Sequence, residues 1–383
     1  MATITKTTTS KGETRYRVRV VVGYRPDGTA IQEMQSFRTT REAQAWARAQ
    51  ETAREHGTLA TGAGKLTLGE YLEQWLARSE RQVRPITLAG YRYMLKKHVL
   101  GATIAQHRLS QLSPSALQAF IDGIERPANA RRVRALLHIA LHEAMDLNMV
   151  AINPVGRTKP PKHTPRQGQS WSAEEARAFL AAAAEDGYSP YWHLALYTGM
   201  RPSEIEGLRW ESLDLEAGTL RVERARPTAM GRTFPSEATK SASGARTLAL
   251  PPSLVALLRA HRARQRESLL LAGAVWGERG LVCCSGVGTP LDHANVLRHF
   301  RALCATAGVP RIRVYDLRHS AISLMVDAGG DLKAVSEVVG HSNPGITMRV
   351  YRHVKQEQRT AAMHGLAAAL DSPPPGDPER PNC

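Results

Sequence analysis

Two stretches of this 383-residue chain cannot contribute to a hydrophobic core, and they cut it into three pieces. Residues 57–64 (GTLATGAG) are small, uncharged and glycine-rich, the make-up of a flexible linker. Residues 153–169 carry four prolines among Arg157, Lys159, Lys162 and Arg166, so this segment joins domains and is itself basic. Domains are therefore expected over residues 1–60, 65–155 and 170–370, and the last thirteen residues, 371–383, five of them proline, read as a disordered tail.

Each piece has its own periodicity. Residues 16–23 (YRVRVVVG) alternate long polar and β-branched side chains, Pro26-Asp27-Gly28 marks a turn, and residues 30–37 resume the extended pattern, so a small sheet opens the chain. Thr40 is the expected N-cap of a helix over 41–55. In the second piece Leu68, Tyr71, Leu72 and Trp75 recur at i, i+3, i+4 and i+7, and further helices are expected over 87–100, 113–124 and 128–147. The third opens on the capping box Ser172-Ala173-Glu174-Glu175 and mixes helices with a strand pair near 219–250. The fold class is thus multidomain: a small α+β amino-terminal domain, an all-α second domain and a mainly helical third with a small β-sheet.

Fifty-one Lys+Arg against thirty-five Asp+Glu leave a net charge of +16, while an apolar content of 42% is that of a folded chain. The excess therefore sits on folded surfaces and calls for an anionic partner, either nucleic acid or an acidic membrane. No apolar run approaches the roughly 18 residues of a membrane span. The longest covers 269–276, and the start (MATITKTTTSKGETR) has no apolar core for a signal peptide, so nucleic acid is the stronger reading. Cys283, Cys284, Cys304 and Cys383 show neither C-x-x-C spacing nor a disulfide framework, which fits a reduced, cytoplasmic chain. No metal is expected, because His138 and His142, though at i and i+4, have no third ligand nearby in sequence. The candidate DNA contacts are Arg17 and Arg19 on one strand face, and Lys96, Lys97, Arg131, Arg132 and Arg134 on the helices.

Three segments fix residues able to do chemistry. In Thr198-Gly199-Met200-Arg201-Pro202 a glycine turn precedes a proline at the first helical position, so Arg201 projects from a fixed point. Tyr315-Asp316-Leu317-Arg318-His319-Ser320 opens another helix, with Tyr315 and Arg318 three apart on one face. Asp331 caps the next helix and Gly340 ends it, which leaves His341 on the following turn; Asn343-Pro344 then starts a short helix containing Tyr351.

Taken in order, TGMRPSEIEGLRW, TKSASGARTLAL, YDLRHS and VVGHSNPGITMRVYRHV resemble the four motif boxes of the tyrosine recombinases, the phage integrase family. The resemblance implies Arg201 and Arg318 as an arginine pair, Glu204 as a supporting acid, Lys240 as a hairpin lysine, His341 as a second-box histidine and Tyr351 as nucleophile. Those residue types suit the reaction. Attack of a phenol oxygen on a phosphodiester passes through five-coordinate phosphorus whose equatorial oxygens gain charge, and planar guanidinium groups match such oxygens two at a time. A 3′-phosphotyrosine keeps the bond energy, so a different 5′-hydroxyl can rejoin the strand with no cofactor. Where the family has a histidine before the second arginine, this chain has Tyr315. A phenol, ordinarily titrating near 10, is a poor base there, and the expectation is a phosphate donor or proton relay, the alternative being a tyrosine that only packs.

The same resemblance extends to the other pieces. Thr87-Leu88-Ala89-Gly90-Tyr91 is similar to the second-helix pattern of the family's core-binding domain, and residues 1–56 resemble its arm-binding domains. The implied function is site-specific integration and excision of a phage or integrative element on double-stranded DNA. It implies a homotetramer at the attachment sites, accessory DNA-bending proteins and a place on the bacterial nucleoid. A type IB topoisomerase shares the tyrosine chemistry, and a non-catalytic DNA-binding regulator on the same fold is the alternative of another class.

Overall fold

The computed structural model describes residues 2–8, 12–24, 29–55, 66–164, 168–229, 232–235, 237–238, 245–278 and 280–340. The chain divides into two compact units, Met1–Pro165 and Arg166–Cys383, and the division falls inside the proline-rich basic segment. It is mostly helical, with small antiparallel sheets. Among the described residues no helix is long and apolar enough to cross a membrane.

The first unit opens with a meander of β1 (Thr3–Thr8), β2 (Thr14–Tyr24) and β3 (Ala30–Phe37), followed by α1 (Thr40–Glu55). Alternation along β2 sends Val18 and Val20 to one face, where they pack on Ala43 and Ala47 with Phe37 and Trp46 at the edge. The cap of α1 is one residue earlier than expected. Thr39 Oγ1 accepts from Glu42 N at 3.2 Å while the Glu42 carboxylate accepts from Thr39 N, a reciprocal pair that Thr40 does not make.

Four helices follow: α2 (Leu68–Ser79), α3 (Pro85–His98), α4 (Pro114–Asp122) and α5 (Pro127–Asp146). Three of them start on a proline, whose missing N–H costs nothing in a first turn; this is why α3 begins two residues before the apolar pattern suggests. Leu68, Leu72, Leu95, Leu117, Val133, Leu137 and Leu141 fill the space between them. The Tyr71 hydroxyl donates to Ala140 O at 2.6 Å, and Glu143 accepts from Trp75 Nε1 at 2.8 Å and Arg78 Nε at 2.9 Å, which pins α2 to α5.

In the second unit α6 (Ala173–Ala182) begins at the expected capping box on Ser172, then α7 (Ser189–Thr198) and the short α8 (Pro202–Glu206). The expected strand pair near 219–250 is present, and it is widened by a third strand and accompanied by a two-part ribbon. The sheet joins β4 (Leu213–Asp214), β5 (Thr219–Val222) and a final strand; the ribbon comprises β6 (Arg224–Ala225), β7 (Thr228–Ala229), β8 (Arg232–Thr233) and β9 (Glu237–Ala238), paired β6 with β9 and β7 with β8. That final strand, β10 (Arg246–Ala249), takes the far edge beside β5. Helices α9 (Pro252–Ala272), α10 (His293–Thr306), α11 (Asp316–Asp327) and α12 (Leu332–Val339) complete the unit.

Its core is aromatic at the centre. Trp171, Trp192 and Phe300 surround Phe179 with centroids 4.8, 5.7 and 5.4 Å from it, which locks α6, α7 and α10 together. Trp171 also ties the chain to α11, its backbone N–H donating to Ser320 Oγ at 3.0 Å and its indole N–H to Pro310 O at 2.8 Å. Cys283, Cys284 and Cys304 are free thiols, two of them buried.

Helix α7 ends on Gly199 at φ +61°, and a Cβ there would stand 2.9 Å from Val339 Cγ1 of α12. Gly199→Ala combines a left-handed backbone with a side-chain overlap, so it is expected to lower stability by about 1–2 kcal/mol or more. Urea unfolding of the full chain checks this; an unchanged midpoint would mean that the turn tolerates a side chain.

Candidate active site

The αL turn at Gly199 does two things. It reverses the chain so that Arg201 becomes the residue capping α8, and it aims the Gly199 carbonyl at α11, where Arg318 Nη1 donates to it at 2.7 Å. Arg318 is 1% exposed, and its Nε and Nη2 have no hydrogen-bond partner among the described residues. Burial, reinforced by the neighbouring charge of Arg201, pushes the Arg318 guanidinium down to about 10, which leaves it cationic at neutral pH. A buried guanidinium with donors to spare is a receptor for an oxyanion.

Arg201 is held from both sides. Its Nη1 donates to Glu204 Oε1 at 2.7 Å and its backbone N–H to Oε2 at 2.9 Å, while Nη2 donates to Gly340 O at 3.0 Å. Glu204 is 3% exposed. Burial alone would raise its carboxyl, but the hydrogen bonds and charges of Arg246 and Arg201 outweigh that and hold it below the usual carboxylate range. The structure thus brings Arg201, Glu204 and Arg318 into one cluster across α8 and α11.

Tyr315 stands at its rim. Arg318 turns into the core, whereas Tyr315, 42% exposed, keeps its ring edge-on to His319 with centroids 5.5 Å apart. The start of α11 is fixed by Asp316, whose carboxylate accepts from Arg313 Nε at 2.8 Å, Nη2 at 2.7 Å and the backbone N–H at 3.1 Å. His319 lies beneath the chain at Gly168, where a Cβ would come within 2.4 Å of the imidazole. Burial lowers the His319 pKa more than nearby Asp316 raises it, so the ring is neutral near pH 7.

Lys240, His341 and Tyr351 lie outside the described residues. Their neighbours do not: Gly340, directly before His341, is the carbonyl that Arg201 holds, and β10 begins six residues after Lys240. One member of the cluster escapes the sequence reading. Arg246 sits inside the quoted box TKSASGARTLAL, yet only the tertiary structure shows that it reaches Glu204.

The candidate DNA contacts separate into two kinds. Arg17 and Arg19 are exposed on the open face of β2, across from Thr5 and Ser36 and from Thr3 and Met34. Lys96 and Lys97 are exposed in the last turn of α3, with the Lys97 ammonium 5.4 Å from the Tyr93 ring centroid. Arg131 and Arg132 are exposed on α5, Arg131 donating to Pro161 O at 3.2 Å. Arg134 differs: its Nε donates to Thr158 Oγ1 at 2.9 Å and its Nη2 to Thr158 O and Val155 O at 2.8 and 3.2 Å. Through Nε and Nη2 its guanidinium clasps 155–158 to α5, so Arg134 differs from its exposed neighbours in being tied into the fold. His138 and His142 stack at 6.1 Å, and among the described residues no three His, Cys, Asp or Glu side chains gather as a metal site would need.

Comparison with known proteins shows which family the chain belongs to. Residues 172–358 match the model of the Phage integrase family, and residues 67–124 match that of the Phage integrase, N-terminal SAM-like domain. A "Tyrosine recombinase XerC-like" protein of Caldanaerobacter subterraneus subsp. tengcongensis is 28% identical over 377 residues, covering 93% of this chain and 96% of its own. An integrase of Streptomyces ambofaciens is 32% identical over 351 residues, 86% of this chain and 87% of its own. The Tn1549 transposon integrase, solved with transposon right end DNA, superposes with a TM-score of 0.65 at 17% identity, over 79% of this chain and 100% of that one. A lambda integrase dimer bound to a COC′ core site gives 0.55 at 19% identity, over 74% and 95%. The chain belongs to the phage integrase family of tyrosine recombinases. It is a site-specific recombinase, an enzyme that breaks and rejoins DNA.

The depressed Glu204 carboxyl has a pH signature. Its ion pairs stabilise the fold fully above the ordinary carboxylate value of 4.5 and are lost as pH falls through the lower folded value. Glu204→Gln should therefore cost roughly 3 kcal/mol at neutral pH and flatten the acid-side fall in stability. Urea midpoints from pH 3 to 7 check it, and parallel curves for the two proteins would rule the assignment out.

Proposed function

We propose that this recombinase integrates and excises a phage or integrative element by a 3′-phosphotyrosine route in which Arg201 and Arg318 clamp the scissile phosphate. The observation that carries the reading is Arg318: a guanidinium 1% exposed, with Nε and Nη2 unmatched among the described residues, beside a second arginine fixed by its own acid. Charge developing on the equatorial oxygens is stabilised by donors already in place, so little reorganisation is needed at the moment of reaction.

In this mechanism the Tyr351 oxygen bonds to phosphorus as its proton passes to solvent water, the P–O5′ bond breaks, and the Lys240 ammonium gives its proton to the 5′ oxygen, a step worth about 10²–10⁴ in rate. His341 donates to a non-bridging oxygen, and Tyr315 at the rim donates to the phosphate or relays a proton. Attack by another 5′-hydroxyl on the phosphotyrosine then rejoins strands without an external energy source. The work divides along the chain: residues 1–60 for arm-type DNA, 65–155 for the core site and 170–370 for cleavage, acting as a homotetramer on duplex attachment DNA with accessory bending proteins, on the nucleoid. Open cationic surfaces support that division, Arg17 and Arg19 on β2 and Lys96, Lys97, Arg131 and Arg132 on the helices.

Tyr351→Phe should abolish the covalent adduct on a nicked attachment-core duplex while binding stays within about 3-fold, because only the attacking oxygen is lost. The same assay reads the other roles: Lys240→Ala is rescued by a bridging 5′-phosphorothiolate, and Tyr315→Phe is slowed. Adduct persisting in the Tyr351→Phe protein would move the nucleophile elsewhere.

A chain starting at residue 66 should still cleave core DNA yet fail to recombine full attachment sites, since two modules on one tether gain millimolar-scale effective concentration only when both bind. Full recombination by that fragment would show the amino-terminal sheet to be no DNA-binding module.

A further inference from the structure

The ion pair around Glu204 holds one cation more than its neutralisation requires. Arg201 already contacts both carboxylate oxygens, through Nη1 and its backbone N–H. Arg246, the first residue of β10, adds Nη2 to Oε2 at 3.0 Å and Nη1 to Oε1 at 3.4 Å, and its Nε donates to Val338 O at 2.6 Å. Its side chain is 7% exposed. Burying a second guanidinium is costly, and a carboxylate already matched gains little from it, so stability alone does not explain the arrangement.

We propose that Arg246 is a positioning residue for phosphate cleavage: it takes up the charge of Glu204 and the last turn of α12, so that Arg201 stays cationic toward the phosphate and the residue preceding His341 is held in register with it. This rests on the reading of the site as a DNA-cleaving centre.

Charge is the first argument. With Arg201 as its only partner, Glu204 would cancel at close range the positive potential that Arg201 offers an incoming phosphate. With Arg246 sharing the acid, the guanidiniums of Arg201, Arg246 and Arg318 stand against one carboxylate and the cluster keeps a net positive charge. Geometry is the second. The carbonyls ending α12 are taken by arginines from different elements, Val338 O by Arg246 of β10 and Gly340 O by Arg201 at the start of α8. Acid, arginine and helix end therefore move as one piece. In sequence, Arg246 follows Lys240 by six residues. Only an arginine clamps in this way, because its planar fork serves a carboxylate and a carbonyl at once while an ammonium is a single point.

The test uses Arg246→Met and Arg246→Lys in the full chain on a nicked attachment-core duplex. Cleavage at saturating protein should fall roughly 30-fold or more in Arg246→Met and less in Arg246→Lys, with binding within about 3-fold in both, the pattern of a lost transition-state interaction. The acid limb of the pH–rate profile should also move upward, because burial raises Glu204 once the Arg246 bonds are gone; the charges still facing it are Arg201 at the start of α8 and Arg318 of α11. A purely structural residue would lower the urea midpoint and leave the acid limb in place. Should Arg246→Met not fold, Arg246→Lys carries the comparison. The pH dependence of urea unfolding reads the same carboxyl with no catalysis involved, so a wild-type protein that forms no adduct would sink the DNA-cleaving reading and leave the hold of Arg246 on Glu204 to be judged separately. Wild-type cleavage rates with an unshifted acid limb in both variants would overturn the proposal.

Discussion

A carboxylate as buried as Glu204 stays ionised only where cations match it, and here two guanidiniums do so from elements that are far apart in sequence. Arg201 arrives from the start of α8 and Arg246 from β10. Because each also spends a donor on the end of α12, the acid sets the relative position of three elements at once. Removing the charge would leave two guanidiniums to repel each other, and it would release the turn that leads into His341.

Arg318 solves the opposite problem. It has no acid of its own: one N–H goes to the Gly199 carbonyl, and the repulsion from Arg201 works against it. Such a residue stays buried only because the surrounding packing over-determines it. Leu317, Ser320, Ala321 and Ile322 on α11 are all buried, and the aromatic cluster at Phe179 fixes α7, whose Gly199 turn supplies the carbonyl. The aromatic core is therefore a support for a destabilised charge.

Much of this is legible in sequence, and the boundary has a physical cause. Gly199 and Gly340, at φ +61° and +70°, announce αL caps, Pro202 announces a first turn, and Asp331 a cap, because those residues act through their own backbone or that of near neighbours. The motif boxes place Arg201, Glu204 and Arg318. What sequence does not reveal is partnership at long range. Arg246 meets Glu204 across 42 residues and Val338 across 92, and Arg134 is captured by a turn some 20 residues on. The helix periodicity that exposes Arg131 and Arg132 gives no sign that Arg134, on the same helix, is spent. Likewise the expected strand pair, β5 with β10, is present, but the ribbon between its strands was not legible, since the two-residue strands β6 to β9 are too short to carry an alternation.

The net charge of +16 is accordingly not one property but several. Some cations neutralise buried acids, as Arg246 does for Glu204 and Arg313 for Asp316; some clasp carbonyls, as Arg134 does. Others, among them Arg17 and Arg19 on β2, Lys96 and Lys97 on α3 and Arg131 and Arg132 on α5, are exposed, and exposed cations are the kind able to displace counterions from a phosphate backbone. Arg201 belongs to both groups, one edge of its guanidinium on Glu204 and a third of its side chain still exposed. That division of a single side chain between fold and solvent is matched at Glu204 by a second cation, Arg246, at the first residue of the edge strand β10.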